Sequence, residues 1–174
     1  MRLFVSLDPG EEVRAALSDY MDLLRRSGVR GRYVLPENLH ITLAFIGEYR
    51  SPRRVMDALD SIEFCGFRGR ISGTGAFRSV FWAGISSGGA AEELAELVRG
   101  ALSAGGIPSA PGRFVPHITL IRRPQFPDGW TAPAPAPAGA VFRGIDLMSS
   151  ELSHTGAAYR KIGTAELSRE DQEG

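Results

Sequence analysis

The chain has 174 residues, 43% hydrophobic and 23% charged, enough for one domain or two small lobes sharing a core. Its formal net charge is zero, so it lacks the cationic coat that binds bulk duplex DNA or an anionic membrane surface. The lone cysteine, Cys65, allows neither an internal disulfide nor a cysteine-based metal site, and a reducing cytoplasm is the expected setting.

In chain order, "RLFVSLD" reads as a short strand. Asp8 and Pro9 end its apolar run too early for a signal peptide or a membrane span, and they suit the start of a helix. "EEVRAALSDYMDLLRR" then places Val13, Ala16, Leu17, Tyr20, Leu23 and Leu24 at helical spacing, and Gly28 suits the stop. "RYVLPENLHITLAFIG" returns as strand. "SPRRVMDALDSI" predicts a second helix capped by Ser51 with Pro52 in its first turn. "FRGRISGTGAFR" reads as a strand interrupted by glycines, and "SVFWAGIS" as another. "AAEELAELVRGALSA" predicts a helix burying Leu94, Leu97, Val98, Ala101 and Leu102, stopped by Gly105 and Gly106. "RFVPHITLIRR" returns as strand. Thr131 to Ala140, "TAPAPAPAGA", predicts an extended linker, because proline supplies no N–H to a sheet. "VFRGIDLMSSEL" and "AYRKIGTAEL" close the fold as strands, and residues 168–174 read as a polar, disordered tail.

The chain is written twice. His-Ile-Thr-Leu occurs at His40 and again at His117, 77 residues later, and only His154 stands elsewhere. At the same offset Leu3-Phe4-Val5 falls on Val80-Phe81-Trp82, and Gly28 on Gly105. A repeat kept only for packing preserves apolar positions and lets polar ones drift. This one preserves histidine and threonine.

Residues i and i+2 of a strand share a face. His40 therefore sits beside Thr42, and His117 beside Thr119, with Ile41, Leu43, Ile118 and Leu120 turned to the core. Two lobes related by a pseudo-twofold axis would bring both pairs together. Imidazoles with an ordinary pKa of ~6.5 can act as a paired acid and base, suited to in-line displacement at phosphorus. The threonine hydroxyls can donate to phosphate oxygens. Competing readings are structural histidines, a metal site and a serine hydrolase. The motifs carry no Asp, Glu or Cys for a metal, and there is no G-x-S-x-G elbow.

Two such motifs resemble those of the two-histidine phosphoesterase superfamily, in particular its LigT-type RNA 2′,3′-cyclic phosphodiesterases, also known as the 2′-5′ RNA ligase family. The resemblance runs through "MRLFVSLD", "ENLHITLAFIGE", "FVPHITLIR" and "LMSSELSHTGAAYRKIG". It implies an α+β fold of two pseudo-symmetric, interleaved lobes within one domain, antiparallel sheets lining a central cleft and helices outside. It implies metal-free, cofactor-free hydrolysis of an RNA or nucleoside 2′,3′-cyclic phosphate to a 2′-phosphomonoester. In that scheme His40 is the acid on the 3′ leaving oxygen, His117 the base on water, and Thr42 and Thr119 the phosphate holders. The near symmetry of the repeat leaves the acid and base interchangeable. The reverse reaction would join RNA ends through a 2′,5′ linkage.

The family pattern also carries an aromatic residue five positions after the first histidine and a basic one five after the second, here Phe45 and Arg122. Phe45 would stack on a base and Arg122 grip phosphate. Simple alternation puts both on the face opposite the histidines, unless both strands carry a bulge. Tyr159 matches the closing tyrosine and would line the cleft. The partners expected are RNA ends or nucleoside cyclic phosphates, with no membrane, no bulk duplex DNA and a monomeric protein. Two other readings stay open: a phosphodiesterase for a small non-RNA cyclic phosphate of the ADP-ribose type, and a binding module that grips nucleotide or RNA ends without turnover.

Overall fold

The computed structural model describes residues 1–169. In order, the elements are β1 (Arg2–Leu7), α1 (Gly10–Arg26), β2 (Arg30–Tyr33), a single 3-10 turn (Pro36–Asn38), β3 (Ile41–Glu48), α2 (Pro52–Asp60), β4 (Phe67–Phe77), β5 (Val80–Ser86), α3 (Ala90–Ala104), β6 (His117–Gln125), β7 (Gly139–Phe142), β8 (Gly144–Ser153) and β9 (Gly156–Glu166). The class is α+β, as expected. None of these helices is long and apolar enough to cross a membrane.

The strands run β7-β4-β5-β6-β3-β1-β8-β9, with β2 added against β6, and every pairing between named strands is antiparallel. The order divides into two four-stranded leaves that meet where β3 touches β6. That contact rests on one registered pair, Ile41 with Ile118. These residues are copies of each other in the repeat, so the pseudo-twofold axis passes between them.

The helices cross over the duplication. α1, from the first half, packs on β7, while α3, from the second, packs on β3. Tyr20 of α1 donates its hydroxyl to the carbonyl of Pro133, which ties the proline-rich strap to the helix. Each half thus covers apolar strand surface of the other, and the two share one continuous core, including Leu17, Leu24, Leu43, Leu94, Leu120 and Leu147.

Several expectations need correction. On α1 Leu23 is 40% exposed and Met21 takes its place inside; on α3 Leu97 is likewise 40% exposed, and Ala91 and Ala95 are buried instead. Each lies about 100° round the helix from a core neighbour, just past the inward stripe. The strap ends earlier than expected, because Gly139 and Ala140 already pair with Arg70 and Gly69 as β7. Ser168 is not part of a free tail: its N–H donates to Phe64 O, and its carbonyl accepts from Gly66 N. The rest of the expected tail, from residue 170, lies outside the described residues.

The repeat is not a rigid 77-residue translation. Thr42 pairs with Ser6, and Thr119 with Trp82, so the outer strands correspond at an offset of 76: Phe4-Val5-Ser6 matches Val80-Phe81-Trp82. At the helix ends the offset becomes 78. Gly28 and Gly106, both at positive φ, hold equivalent turns, since Val29 N and Ile107 N bond back to Leu24 O and Leu102 O.

Candidate active site

The two histidines enter the cleft by the same local device. His40 precedes β3, and its Nδ1 lies 2.7 Å from the carbonyl oxygen of Asn38. His117 opens β6, and its Nδ1 lies 2.6 Å from the carbonyl oxygen of Val115. A carbonyl only accepts, so both Nδ1 atoms carry the proton and both Nε2 atoms are left for chemistry. Asn38 and Val115 are themselves 77 residues apart. Sequence reading missed both because they act through backbone oxygen; the offset is the signal that finds them. Asn38 is itself held by the closing hairpin, its side-chain amide donating to Ala157 O.

Aromatic rings wall each imidazole. Phe4 and Tyr159 flank His40 at centroid distances of 5.0 and 5.3 Å, Tyr159 edge-on. Phe77 and Trp82 flank His117 at 4.9 and 5.9 Å. The Trp82 indole fits because β4 has no side chain beneath it: a Cβ on Gly75 would lie 2.4 Å from Trp82 Cζ2. Sequence reading assigned neither Phe77 nor Trp82 to the site, because no polar motif marks them.

The environments differ. His40 is pushed below the ordinary histidine value, first by burial, with the positive charges of Arg122 and His117 adding to the shift and the Asn38 carbonyl opposing it. At neutral pH its Nε2 is then unprotonated in the free protein and accepts the Thr42 hydroxyl at 2.9 Å. Among the described residues no such bond joins His117 Nε2 to Thr119.

Phe45 and Arg122 face the cleft, against simple alternation. Ala44 pairs with Val5 and Thr42 with Ser6, so Leu43 is an extra residue in β3. Ile121 pairs with Phe81 and Thr119 with Trp82, so Leu120 is an extra residue in β6. Leu43 and Ala44 are both buried, as are Leu120 and Ile121. Each bulge reverses the alternation beyond it. The result brings His40, Thr42, Phe45, His117, Thr119, Arg122 and Tyr159 onto one cleft of about 350 Å³. Phe45 is 57% exposed there. His154 lies outside it, exposed in the turn between β8 and β9.

Three depressions elsewhere are larger, about 580 Å³ beside Arg54, about 470 Å³ beside Glu96 and about 660 Å³ beside Cys65, but none contains a histidine. The paired chemistry lies only in the cleft among these four. Among the described residues no three His, Cys, Asp or Glu side chains converge as a metal site. Two imidazoles whose Nε2 atoms are not tied to backbone, two hydroxyls and a guanidinium can bind a phosphate ester and move protons on either side of it.

The family model described as LigT like phosphoesterase matches residues 7–82, which contain the first histidine motif. An RNA 2′,3′-cyclic phosphodiesterase from Thermotoga maritima is 31% identical, with 93% of each chain covered. A second, from Thermus thermophilus, is 34% identical over 91% of this chain and 86% of its own. Among solved structures, LigT from E. coli in its apo form superposes with a TM-score of 0.81 at 26% identity, covering 97% of this chain and 98% of that one.

Proposed function

This chain belongs to the LigT-like phosphoesterase family, and from that premise we propose that it hydrolyses RNA or nucleoside 2′,3′-cyclic phosphates to 2′-phosphomonoesters, with His40 and His117 as its proton-transfer pair. The observation that carries the reading is the matched tautomer lock, Asn38 O on His40 and Val115 O on His117, which presents two Nε2 atoms to one cleft. A binding module would not need both imidazoles fixed in the tautomer that proton transfer requires.

In the proposed cycle the cyclic phosphate lies between the rings, its non-bridging oxygens taking hydrogen bonds from Thr42, Thr119 and Arg122. His117 Nε2 takes a proton from water as the water oxygen bonds to phosphorus. The bond from phosphorus to O3′ breaks on the opposite side, and His40 Nε2 gives its proton to O3′. The products are a 2′-phosphomonoester and a free 3′-hydroxyl, and solvent returns the two protons to their starting positions. The lowered proton affinity of His40, which burial causes first and Arg122 adds to, suits a strong acid once it is protonated, and a bound phosphate anion offsets the Arg122 charge. Phe45 and Tyr159 flank the sugar and base.

We take the working form to be a cytoplasmic monomer that acts without metal and does not bind bulk duplex DNA, a reading supported by the zero net charge and the unpaired cysteine. Phosphorus NMR with each nucleoside 2′,3′-cyclic phosphate, in EDTA, tests the central claim. A 2′-phosphomonoester from the native protein, absent with His40→Ala or His117→Ala, is the expected result. A 3′-phosphomonoester, or turnover undiminished in both variants, sinks it.

A further inference from the structure

Directly opposite residues in an antiparallel pair share a face. The register therefore defines a row across the mouth of the second leaf: Arg32 on β2, Arg122 on β6, Val80 on β5 and Phe77 on β4. Arg122, Val80 and Phe77 line the cleft, and Arg32 extends the row by one strand, about 4.8 Å further out. Tyr33, next to Arg32, pairs with Ile121 and packs on the core, so Arg32 points the other way.

Two arginines opposite each other repel, and such pairs lower sheet stability. Neither has a carboxylate within salt-bridge distance among the described residues, whose ion pairs involve Met1, Arg14, Arg25 and Lys161. The cleft lining contains three arginines and no Asp or Glu, in a chain whose net charge is zero. The matching row of the first leaf is Phe45, Phe4, Met148 and Lys161, with the ring of Phe45 where the second leaf has Arg122, and Lys161 at its far end is paired with Asp146. The repeat is thus chemically polarised at the mouth: one leaf offers a ring for a base, the other two cations without an ion-pair partner among the described residues.

We propose that Arg32, paired with Arg122, binds a second phosphate of the substrate, beyond the cyclic one held between the histidines. This inference rests on the phosphodiesterase reading and narrows its substrate class. An anion between the two guanidiniums removes their repulsion and takes charge-assisted hydrogen bonds from both. An RNA chain supplies that phosphate at the next internucleotide linkage; an ADP-ribose-type cyclic phosphate supplies it as a diphosphate. A nucleoside 2′,3′-cyclic phosphate has none.

The test compares native protein, Arg32→Ala and Arg32→Lys on three substrates: a nucleoside 2′,3′-cyclic phosphate, a ribodinucleotide with a cyclic end, and an ADP-ribose cyclic phosphate. Arg32→Ala is expected to keep native kcat/KM on the mononucleotide, which also reports correct folding. On the dinucleotide it should lose about tenfold, mostly in KM, with Arg32→Lys between, as for one charge-assisted contact. Its log kcat/KM on the dinucleotide should also fall less steeply with log salt, by about 0.7, the share of one phosphate contact on a single strand. A loss on the dinucleotide places the second phosphate in an RNA chain; a loss confined to the ADP-ribose compound places it in a diphosphate. Equal loss on all three substrates, or no loss on any, overturns the inference while leaving the phosphodiesterase reading intact. Native protein inactive on all three overturns both.

Discussion

Ile41 and Ile118 are partners in the sheet and copies of each other in the sequence. Each stands one residue past its histidine, so the axis that pairs the isoleucines also sets the imidazoles on either side of one cleft. The buried isoleucines hold the spacing, as the one registered pair between β3 and β6. From this follows the first prediction. His40→Ala and His117→Ala should each lower kcat by roughly 10²–10⁴, the ordinary contribution of a positioned acid or base. The double variant should be little worse than either single one, because the pair acts as a unit. Single-turnover assays on one cyclic substrate check this, and fully multiplicative losses would mean that the rings work independently.

The pH profile carries a second prediction. Burial lowers the His40 pKa, with Arg122 and His117 adding to the shift, so one limb of the kcat/KM profile should lie below the ordinary histidine value. Removing the Arg122 charge removes part of that depression. In Arg122→Ala that limb should therefore move to higher pH, alongside a loss of phosphate affinity. A rate profile of the variant with that limb unmoved or lowered would contradict the electrostatic assignment.

Metal removal is expected to change nothing. No three metal-binding side chains converge among the described residues, and the two histidines donate their Nδ1 protons to backbone carbonyls. Activity after exhaustive dialysis against EDTA should equal that of the untreated protein, and added zinc or magnesium should not raise it. Restoration by one metal of activity lost to EDTA would point to a metal-assisted route.

Gly75 matters through Trp82. A methyl group at Gly75 would sit 2.4 Å from the indole, so Gly75→Ala must displace the ring from beside His117. The expected result is a drop in kcat of about tenfold, the order of cost when a catalytic group is slightly misplaced. Near-native KM and fold by circular dichroism should accompany it. Trp82→Phe in the Gly75→Ala background relieves the overlap and should recover part of the rate. A native rate in Gly75→Ala would show that Trp82 does not position His117.

Much of this arrangement was legible because polar residues recur where packing alone would not keep them. The motif pairs, the helix starting after Ser51 and the strand–helix–strand succession of each half follow from local pattern. The offset of 77 was legible in the motifs, but those of 76 and 78 were not, since a one-residue slip leaves apolar patterns looking alike while moving every partner. The spacing of Phe45 and Arg122 called for a bulge in both strands but did not place it at Leu43 and Leu120: leucine fits an alternating strand and a bulge equally well, and only register separates them. Asn38 and Val115 act through carbonyl oxygens, which every residue has. Phe77 and Trp82 sit on strands where aromatic residues ordinarily mean core.

Phe45 is where the bulge meets function. Without the extra Leu43 it would point into the core; with it, the ring is 57% exposed and 6.2 Å from Phe4, on the leaf that holds His40. Leaving a phenylalanine this exposed forgoes the burial that would otherwise stabilise it, and a base stacked on the ring recovers that contact. Base–aromatic stacking contributes about 1–3 kcal/mol. Phe45→Ala should therefore raise KM for a cyclic mononucleotide by roughly fivefold to a hundredfold, with kcat nearly unchanged, because the ring does not touch the reacting phosphorus. Phe45→Tyr should retain native values, and purine substrates, with the larger stacking face, should lose more than pyrimidines. Measuring KM and kcat for adenosine and cytidine cyclic phosphates in all three proteins decides it. A loss confined to kcat would place Phe45 in the support of His40 rather than under the base.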